Sequence, residues 1–285
     1  MFPFLFLEAS KAIKFLPLRE QSDKLKRICT AYKKCGDEMR VIEKKTLPTE
    51  TPYLISGLPD VGLVGAIATY HLITEMKMEE VAYFDSDMLP PIIVLHGGEP
   101  KMPIRIYGRD SFYVVTSEIA LPSEPLVKML ARAVVDYAVE KNVKTIISVG
   151  GLATPNRMEI KEPKVYGVAV REEGKALLKK AGVDLLNEGY VVGIYAWILK
   201  ECTQRRIPSV LLLAQSHRGY PDPGAAASAL KVLGKMLDIE ISVEQLLKEE
   251  ERVRLKLREL MRRTNTMLER VQKGHELEIP PMMYV

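Results

Sequence analysis

Cysteine is scarce: Cys29, Cys35 and Cys202 are the three in 285 residues. They cannot all pair within one chain and no Cys-x-x-Cys spacing occurs. That excludes a disulfide scaffold and points to a reducing cytoplasm. An excess of one charge is also lacking. Lys and Arg total 41 against 37 Asp and Glu, a formal net charge of +4, too small for a nucleic-acid footprint. No apolar run approaches the ~20 residues of a membrane span. Residues 1–7 are apolar, but Glu8 follows and no basic segment precedes them, so no signal peptide is expected. What remains is a globular composition, 47% hydrophobic and 27% charged, unlike a disordered tail or a collagen. The length suffices for a sizeable core.

Composition divides the chain into four parts. Residues 1–38 are an apolar start and a basic stretch without a clear strand or helical period, an N-terminal extension of open status. Residues 39–241 alternate between strand-like and helix-like blocks. Strands are expected at 52–56, 92–96, 104–107, 112–116, 145–149, 165–170, 190–195 and 209–214, several of them rich in branched and aromatic residues. Helices are expected at 61–76, 125–141, 172–181, 196–205 and 224–237, the second with Leu126, Met129, Leu130, Ala133, Val134 and Tyr137 on one face. Buried strands separated by helices predict a three-layer α/β domain with a mostly parallel or mixed sheet.

The third part, 242–273, reads as one long helix opened by a capping box of Ser242 and Gln245 and ended by Gly274. Leu246, Val253, Leu260 and Met267 recur every seven positions, and Leu257 falls on the interleaved seam. Glu250 and Thr264 interrupt that seam, which suits a weak coiled-coil or bundle contact and marks these five apolar residues as candidates for self-association. Arg252, Arg254, Arg258, Arg262 and Arg263 are offset by neighbouring glutamates, so the outer face is read as solvated and salt-bridged. The fourth part, 274–285, is an extended tail stiffened by Pro280-Pro281.

Motifs for chemistry are few. The stretch 57–65 (GLPDVGLVG) joins a strand to a helix, where backbone amides can face an anion. It lacks the Lys and Ser/Thr of a phosphate loop and the first spacing of a dinucleotide fingerprint. Asp60 is expected to cap the helix amides and repel phosphate, and Gly62 and Gly65 to allow tight helix-on-sheet packing. Gly150-Gly151, followed by Thr154 and Asn156, has the polarity of a small-anion site, with close backbone approach the simpler account. His96, His217 and His275 are candidates for acid–base work, whereas His71 reads as a satisfied core histidine. Ser216, His217 and Asp222 supply triad residue types without nucleophile-elbow glycines. Turn chemistry and a capped helix start at Asp222-Pro223 explain them better. No metal-ligand spacing occurs, and no cofactor is predicted.

Three stretches together, 54–65 (LISGLPDVGLVG), 148–152 (SVGGL) and 217–227 with its Pro-Asp-Pro, resemble the proteasome assembly chaperone family, and more closely its archaeal members. The resemblance spans about 39–240. The chain closes on Met283-Tyr284-Val285, a hydrophobic residue, a penultimate tyrosine and a carboxylate, similar to the tails of proteasome activators. Extended, the last part can reach up to ~30 Å from the domain. The resemblance implies a phosphorylase-like or hydrolase-like α/β topology without an established catalytic site. It also implies homo-oligomers, and tails that dock between subunits of the α-ring of the proteasome core particle. On that basis Met283 would fill an apolar slot, the Val285 carboxylate would meet a lysine and the Tyr284 hydroxyl would bond near the gate. The expectation is a cytoplasmic, ATP-independent activator that is not an enzyme and has neither nucleic-acid nor membrane partners. Two alternatives are an assembly chaperone without activation and an enzyme of the nucleoside phosphorylase or hydrolase class.

Overall fold

A computed structural model describes residues 38–47 and 52–276, the last six as backbone only. Residues 86–88 group with the N-terminal unit, where the Ser86 hydroxyl accepts the Met88 amide at 3.3 Å. All else below concerns the larger unit. Its strands are β1 (Arg40–Glu43), β2 (Tyr53–Gly57), β3 (Glu79–Asp85), β4 (Val94–His96), β5 (Glu99–Lys101), β6 (Ile104–Arg109), β7 (Phe112–Ser117), β8 (Thr145–Ala153), β9 (Val165–Val170), β10 (Asp184–Leu185) and β11 (Ser209–Ser216). Its helices are α1 (Val64–Glu75), α2 (Glu124–Glu140), α3 (Arg171–Ala181), α4 (Ile194–Arg205), α5 (Pro223–Leu237), α6 (Glu244–Lys248) and α7 (Glu250–Glu276), with short 3-10 turns at Val61–Leu63 and Arg157–Glu159.

Among the described residues, nine strands form one mixed sheet in the order β1-β3-β6-β7-β2-β8-β11-β9-β10. The four central strands, β7-β2-β8-β11, are mutually parallel. On one flank β6, β3 and β1 continue antiparallel, and on the other β9 runs antiparallel to β11. The centre is where the sequence is most uniformly apolar. The runs Thr145–Ala153 and Ser209–Ser216 are buried almost throughout, as strands covered on both faces must be.

Strand alternation then assigns the two faces. Ile55, Val114, Ile147, Val149, Val210 and Leu212 join one apolar cluster with α1, α3 and α5. Tyr113 points the other way and meets Tyr137 of α2 edge-to-face at 5.4 Å, on the side where α2 and α4 lie against each other. The result is the expected three-layer α/β architecture.

Several local expectations are corrected. Residues 190–195 form no strand. Val191 and Val192 suggest one, but Gly193 sits at φ 75 and Ile194 opens α4. The strand expected to stop at Val149 passes through Gly150-Gly151 to Ala153. The helix expected over 242–273 is broken at Glu249 and continues past Gly274 to Glu276, the last described residue. Ser242 forms no capping box, since Val243 occupies the cap position. Instead the Ser242 carbonyl accepts His71 Nε2 at 2.6 Å, so His71 is satisfied, though half-buried rather than in the core.

The heptad seam turns toward its own domain. Leu246 and Met261 are buried in the α1/α5 cluster, and Val253, Leu257 and Leu260 are half-buried against it. Full burial of one such side chain is worth about 1.5–3 kcal/mol, so internal packing holds α7 in place. Its outer face is salt-bridged as expected. Glu259 meets Arg262 and Arg263 at 2.8 and 2.9 Å, and these hydrogen bonds lower its pKa to about 2.

Candidate functional site at the carboxyl ends of the central strands

Helices that follow adjacent parallel strands to opposite faces leave a crevice at the strands' carboxyl ends. β2 leads to α1 on one face and β7 to α2 on the other, so the crevice opens between them. The turn after β2 is built by close approach. Gly62 has φ 64, and a Cβ there would lie 1.9 Å from Ser216 Oγ; at Gly65 it would lie 2.2 Å from the Val149 carbonyl oxygen. Both glycines are thus committed to helix-on-sheet contact, as the sequence suggested. A Cβ at Gly150 would lie 2.6 Å from Asp60 Oδ2, and one at Gly151 would lie 2.1 Å from the Val61 carbonyl oxygen. Close backbone approach therefore accounts for this glycine pair too.

Asp60 does not cap the helix it precedes. Its Oδ2 reaches across to β8 and accepts the Gly151 amide at 3.1 Å, while its buried Oδ1 has no partner among the described residues. Burial pushes the Asp60 carboxyl well above the usual carboxylate range, and the single Gly151 bond offsets this only in part. Beside it, the buried Tyr195 hydroxyl receives the Leu58 amide at 2.9 Å and lies within hydrogen-bonding distance of the Leu58 and Val149 carbonyls. Burial, with the neighbouring Asp60, raises the Tyr195 phenol well above its ordinary value.

The three triad-type residues do not form a triad. The Ser216 hydroxyl is covered by Gly62 and points to the His217 carbonyl at 3.4 Å. Asp222 Oδ2 accepts the His217 backbone amide at 3.1 Å, not the imidazole, whose ring lies 4.8 Å from that of Tyr220. The rest of Asp222 is structural. Its Oδ1 accepts the Ala225 amide at 3.0 Å, the expected helix cap, and Arg157 Nη2 at 2.9 Å. Arg157 Nε lies 2.8 Å from Oδ2, and the Asp222 amide donates to the Gly62 carbonyl at 2.9 Å. Burial lowers the His217 pKa, with Asp222 acting in the opposite sense.

His96 sits elsewhere, at the end of β4, with Nε2 2.8 Å from Glu118 Oε1 and 3.1 Å from Arg105 Nη2. Arg105 also pairs closely with Glu118. Desolvation and Arg105 lower the His96 pKa. Among the described residues, no group of three or more His, Cys, Asp or Glu is placed to hold a metal, and no helix is long and apolar enough to cross a membrane.

Two clefts flank this rim. One, of about 350 Å³, lies at the β2/β7 crevice between Asp60, Ile119, Leu121, Trp197 and Met267. The other, of about 550 Å³, runs between α1, α7 and the β6 region and includes His71, His96 and Arg105. Of the five self-association candidates, Leu246, Val253, Leu257 and Leu260 line the second cleft and Met267 the first. Met283, Tyr284, Val285 and Cys29 and Cys35 lie outside the described residues, while Cys202 is buried in α4. Sequence reasoning missed Arg157, which is 65 positions from Asp222, and read Tyr195 only as part of a strand. Its sole advance signal was a tyrosine closing an apolar run.

Comparison with known proteins gives a consistent result. The family model described as "PAC2 family" matches residues 54–261. An uncharacterized protein of Methanocaldococcus jannaschii is 32% identical over 85% of this chain and 99% of its own length. The crystal structure of Pyrococcus furiosus PbaA, an archaeal homolog of proteasome-assembly chaperone, is similar at 32% identity. It has a TM-score of 0.74, over 80% of this chain and 99% of that one. Pyrococcus furiosus PbaB, an archaeal proteasome activator, shares the fold at 24% identity and TM-score 0.65, over 79% of this chain and 99% of that one.

Proposed function

The chain belongs to the PAC2 family, and on that premise we propose that it binds the proteasome core particle and activates it without ATP. The observation that carries this reading is the sequence Met283-Tyr284-Val285 in a chain of this family. These residues are the docking group and the α-ring of the core particle is the partner. PbaB, an archaeal proteasome activator, supports activation by analogy of fold; PbaA, a homolog of proteasome-assembly chaperone, supports the assembly role as the alternative. The absence of a phosphate loop from the sequence fits independence from ATP. The diversion of Asp222 to the His217 backbone speaks against hydrolase chemistry at that corner, and the proposed setting is the cytoplasm.

Self-association belongs to the same proposal. Val253, Leu257, Leu260 and Met267 are half-buried, so part of each apolar side chain remains for a second copy, while Leu246 is buried in its own domain and supports them from within. Several docking segments on one oligomer would gain ~100-fold or more in avidity over one. Light scattering that shows a monomer at micromolar concentration would remove this element.

The decisive experiment is the peptidase rate of purified core particle against added protein. Deletion of residues 283–285 should abolish both binding and stimulation. Tyr284→Phe removes one hydrogen bond, about 0.5–1.5 kcal/mol per segment, and should weaken stimulation while leaving the domain folded. Equal stimulation by full-length and deleted chains would overturn the reading. Binding without stimulation would select the assembly role.

A further inference from the structure

We propose that the cleft at the β2/β7 crevice binds an apolar small molecule ending in a single carboxylate, such as a fatty acid, with the carboxylate held by Lys200 and Lys128. Topology supplies the place. The crevice lies where the chain leaves two adjacent parallel strands for opposite faces, the position at which open α/β sheets admit ligands. Its volume of about 350 Å³ falls within the range of small-molecule sites. The inner walls are Leu58, Ile119, Leu121, Val127 and Leu130, each of them buried. An apolar body that enters exchanges water for an apolar lining.

The polar chemistry narrows the ligand. The polar side chains of the inner wall are spent on the chain itself. Ser117 Oγ donates to the Ile119 carbonyl at 2.8 Å and Thr264 Oγ1 to the Leu260 carbonyl at 2.9 Å. The Tyr195 hydroxyl and the Asp60 carboxyl are turned to the Leu58 and Gly151 amides. A peptide would bring backbone amides and carbonyls that these side chains cannot match, which favours a ligand whose polar atoms sit at one end. The mouth defines that end. Trp197 is half-buried in the wall. Two ammonium groups lie over its ring, Lys128 Nζ at 4.9 Å and Lys200 Nζ at 4.8 Å from the centroid. Neither is paired with a carboxylate among the described residues. Like charges gathered on one indole repel, and an anion that approaches both relieves the repulsion. Of the acidic lining residues, Asp60 is buried and Glu124 is exposed in the first turn of α2. The mouth thus sets two cations against one anion, an excess that suits a single carboxylate. This site is independent of the proteasome reading, since residues 283–285 have no part in it.

The full chain is titrated calorimetrically with decanoate below its micellar concentration, and with decanol, which has the same carbon chain without the charge. Decanoate should bind saturably and change the emission of Trp197, the chain's one tryptophan. Decanol should bind about tenfold more weakly. Lys200→Met, which keeps an apolar stem, should weaken decanoate about fivefold and leave decanol unchanged. Combined with Lys128→Met, the loss should reach about twentyfold. Glu124→Gln should act in the opposite sense, tightening decanoate about twofold without moving decanol. Ala120→Phe, which places a ring in the cleft, should abolish binding of both; circular dichroism checks each fold. Should Ala120→Phe fail to fold, the lysine variants decide the matter. No saturable binding of decanoate, equal affinity for decanol, or decanoate binding indifferent to the double lysine substitution would each overturn the proposal. A peptide of residues 277–285 that binds the cleft more tightly than decanoate would assign it to a polypeptide end and overturn it likewise.

Discussion

Asp222 and Asp60 each follow a central parallel strand, β11 and β2, and each is buried. Asp222 takes two backbone amides on its carboxylate and a guanidinium on both oxygens. Asp60 takes one amide and leaves an oxygen unmatched. The charge of Asp222 is therefore compensated by Arg157, and the carboxylate ties the end of β11, α5 and the 157–159 turn together, while the Asp222 amide holds the Gly62 turn. Among the described residues no cation compensates Asp60, and burial drives it toward the neutral form. One residue type, placed at two similar strand ends, thus serves as a fastening in one case and retains spare hydrogen-bonding capacity in the other.

The contrast is broken most severely at Asp222. Asp222→Ala leaves the nearly buried Arg157 guanidinium without its counter-charge and uncaps α5. Loss of one partner of a buried pair costs about 3–5 kcal/mol, to be read from the urea midpoint at unchanged slope. A double substitution that also replaces Arg157 with methionine should recover part of that loss, because no unpaired charge then remains. Gly62→Ala attacks the same knot through sterics. Its Cβ meets Ser216 Oγ and the backbone must hold a positive φ, so a loss of about 1–3 kcal/mol is expected in the same assay.

The Asp60 side of the contrast is sharpened by pH. Its folded-state pKa is raised, so between the unfolded value, about 3.9, and the folded one the native state holds the extra proton. Stability then falls as pH rises through that window. Asp60→Asn removes the titration while keeping an acceptor for Gly151. The variant should gain on the wild type progressively above about pH 4, as followed by thermal unfolding across pH. The smallest effect is expected at His217, which the Asp222 carboxylate bypasses. His217→Ala should leave stimulation of core-particle peptidase activity unchanged, whereas saturable turnover of a nucleoside that this substitution abolishes would revive the enzymatic reading of this corner.

Much of this architecture was legible because the central strands and the helices between them carry strong local signals. The runs in β8 and β11 and the amphipathic face of α2 announce themselves, and the Asp222-Pro223 cap was readable from two adjacent residues. The strand β3 escaped notice: its charged opening, Glu79-Glu80, hides the buried Val81, Ala82 and Phe84. Asp60 was misjudged because its partner is the Gly151 amide on another strand, and local sequence offered only the nearer helix amides. The Arg157 pairing with Asp222 was invisible for the same reason. The continuation of β8 through two glycines depends on what approaches them, and only the fold supplies Asp60 and Val61. The α6/α7 seam was seen, yet its periodicity alone could not tell an internal surface from an external one.

The interior position of β8 bears on the order in which the molecule can be made. β8 pairs with β2 on one side, Tyr53 opposite Thr145, and with β11 on the other, Ser209 opposite Ile146. Both pairings join segments far apart along the chain, so loop-closure entropy must be spent before either is rewarded, which slows folding. During synthesis β8 emerges with one flank ready and the other bare until residues 209–216 have followed. Until then it presents an apolar, unpaired edge of the kind that recruits foreign strands. The last central strand to be synthesised therefore also closes the sheet against aggregation.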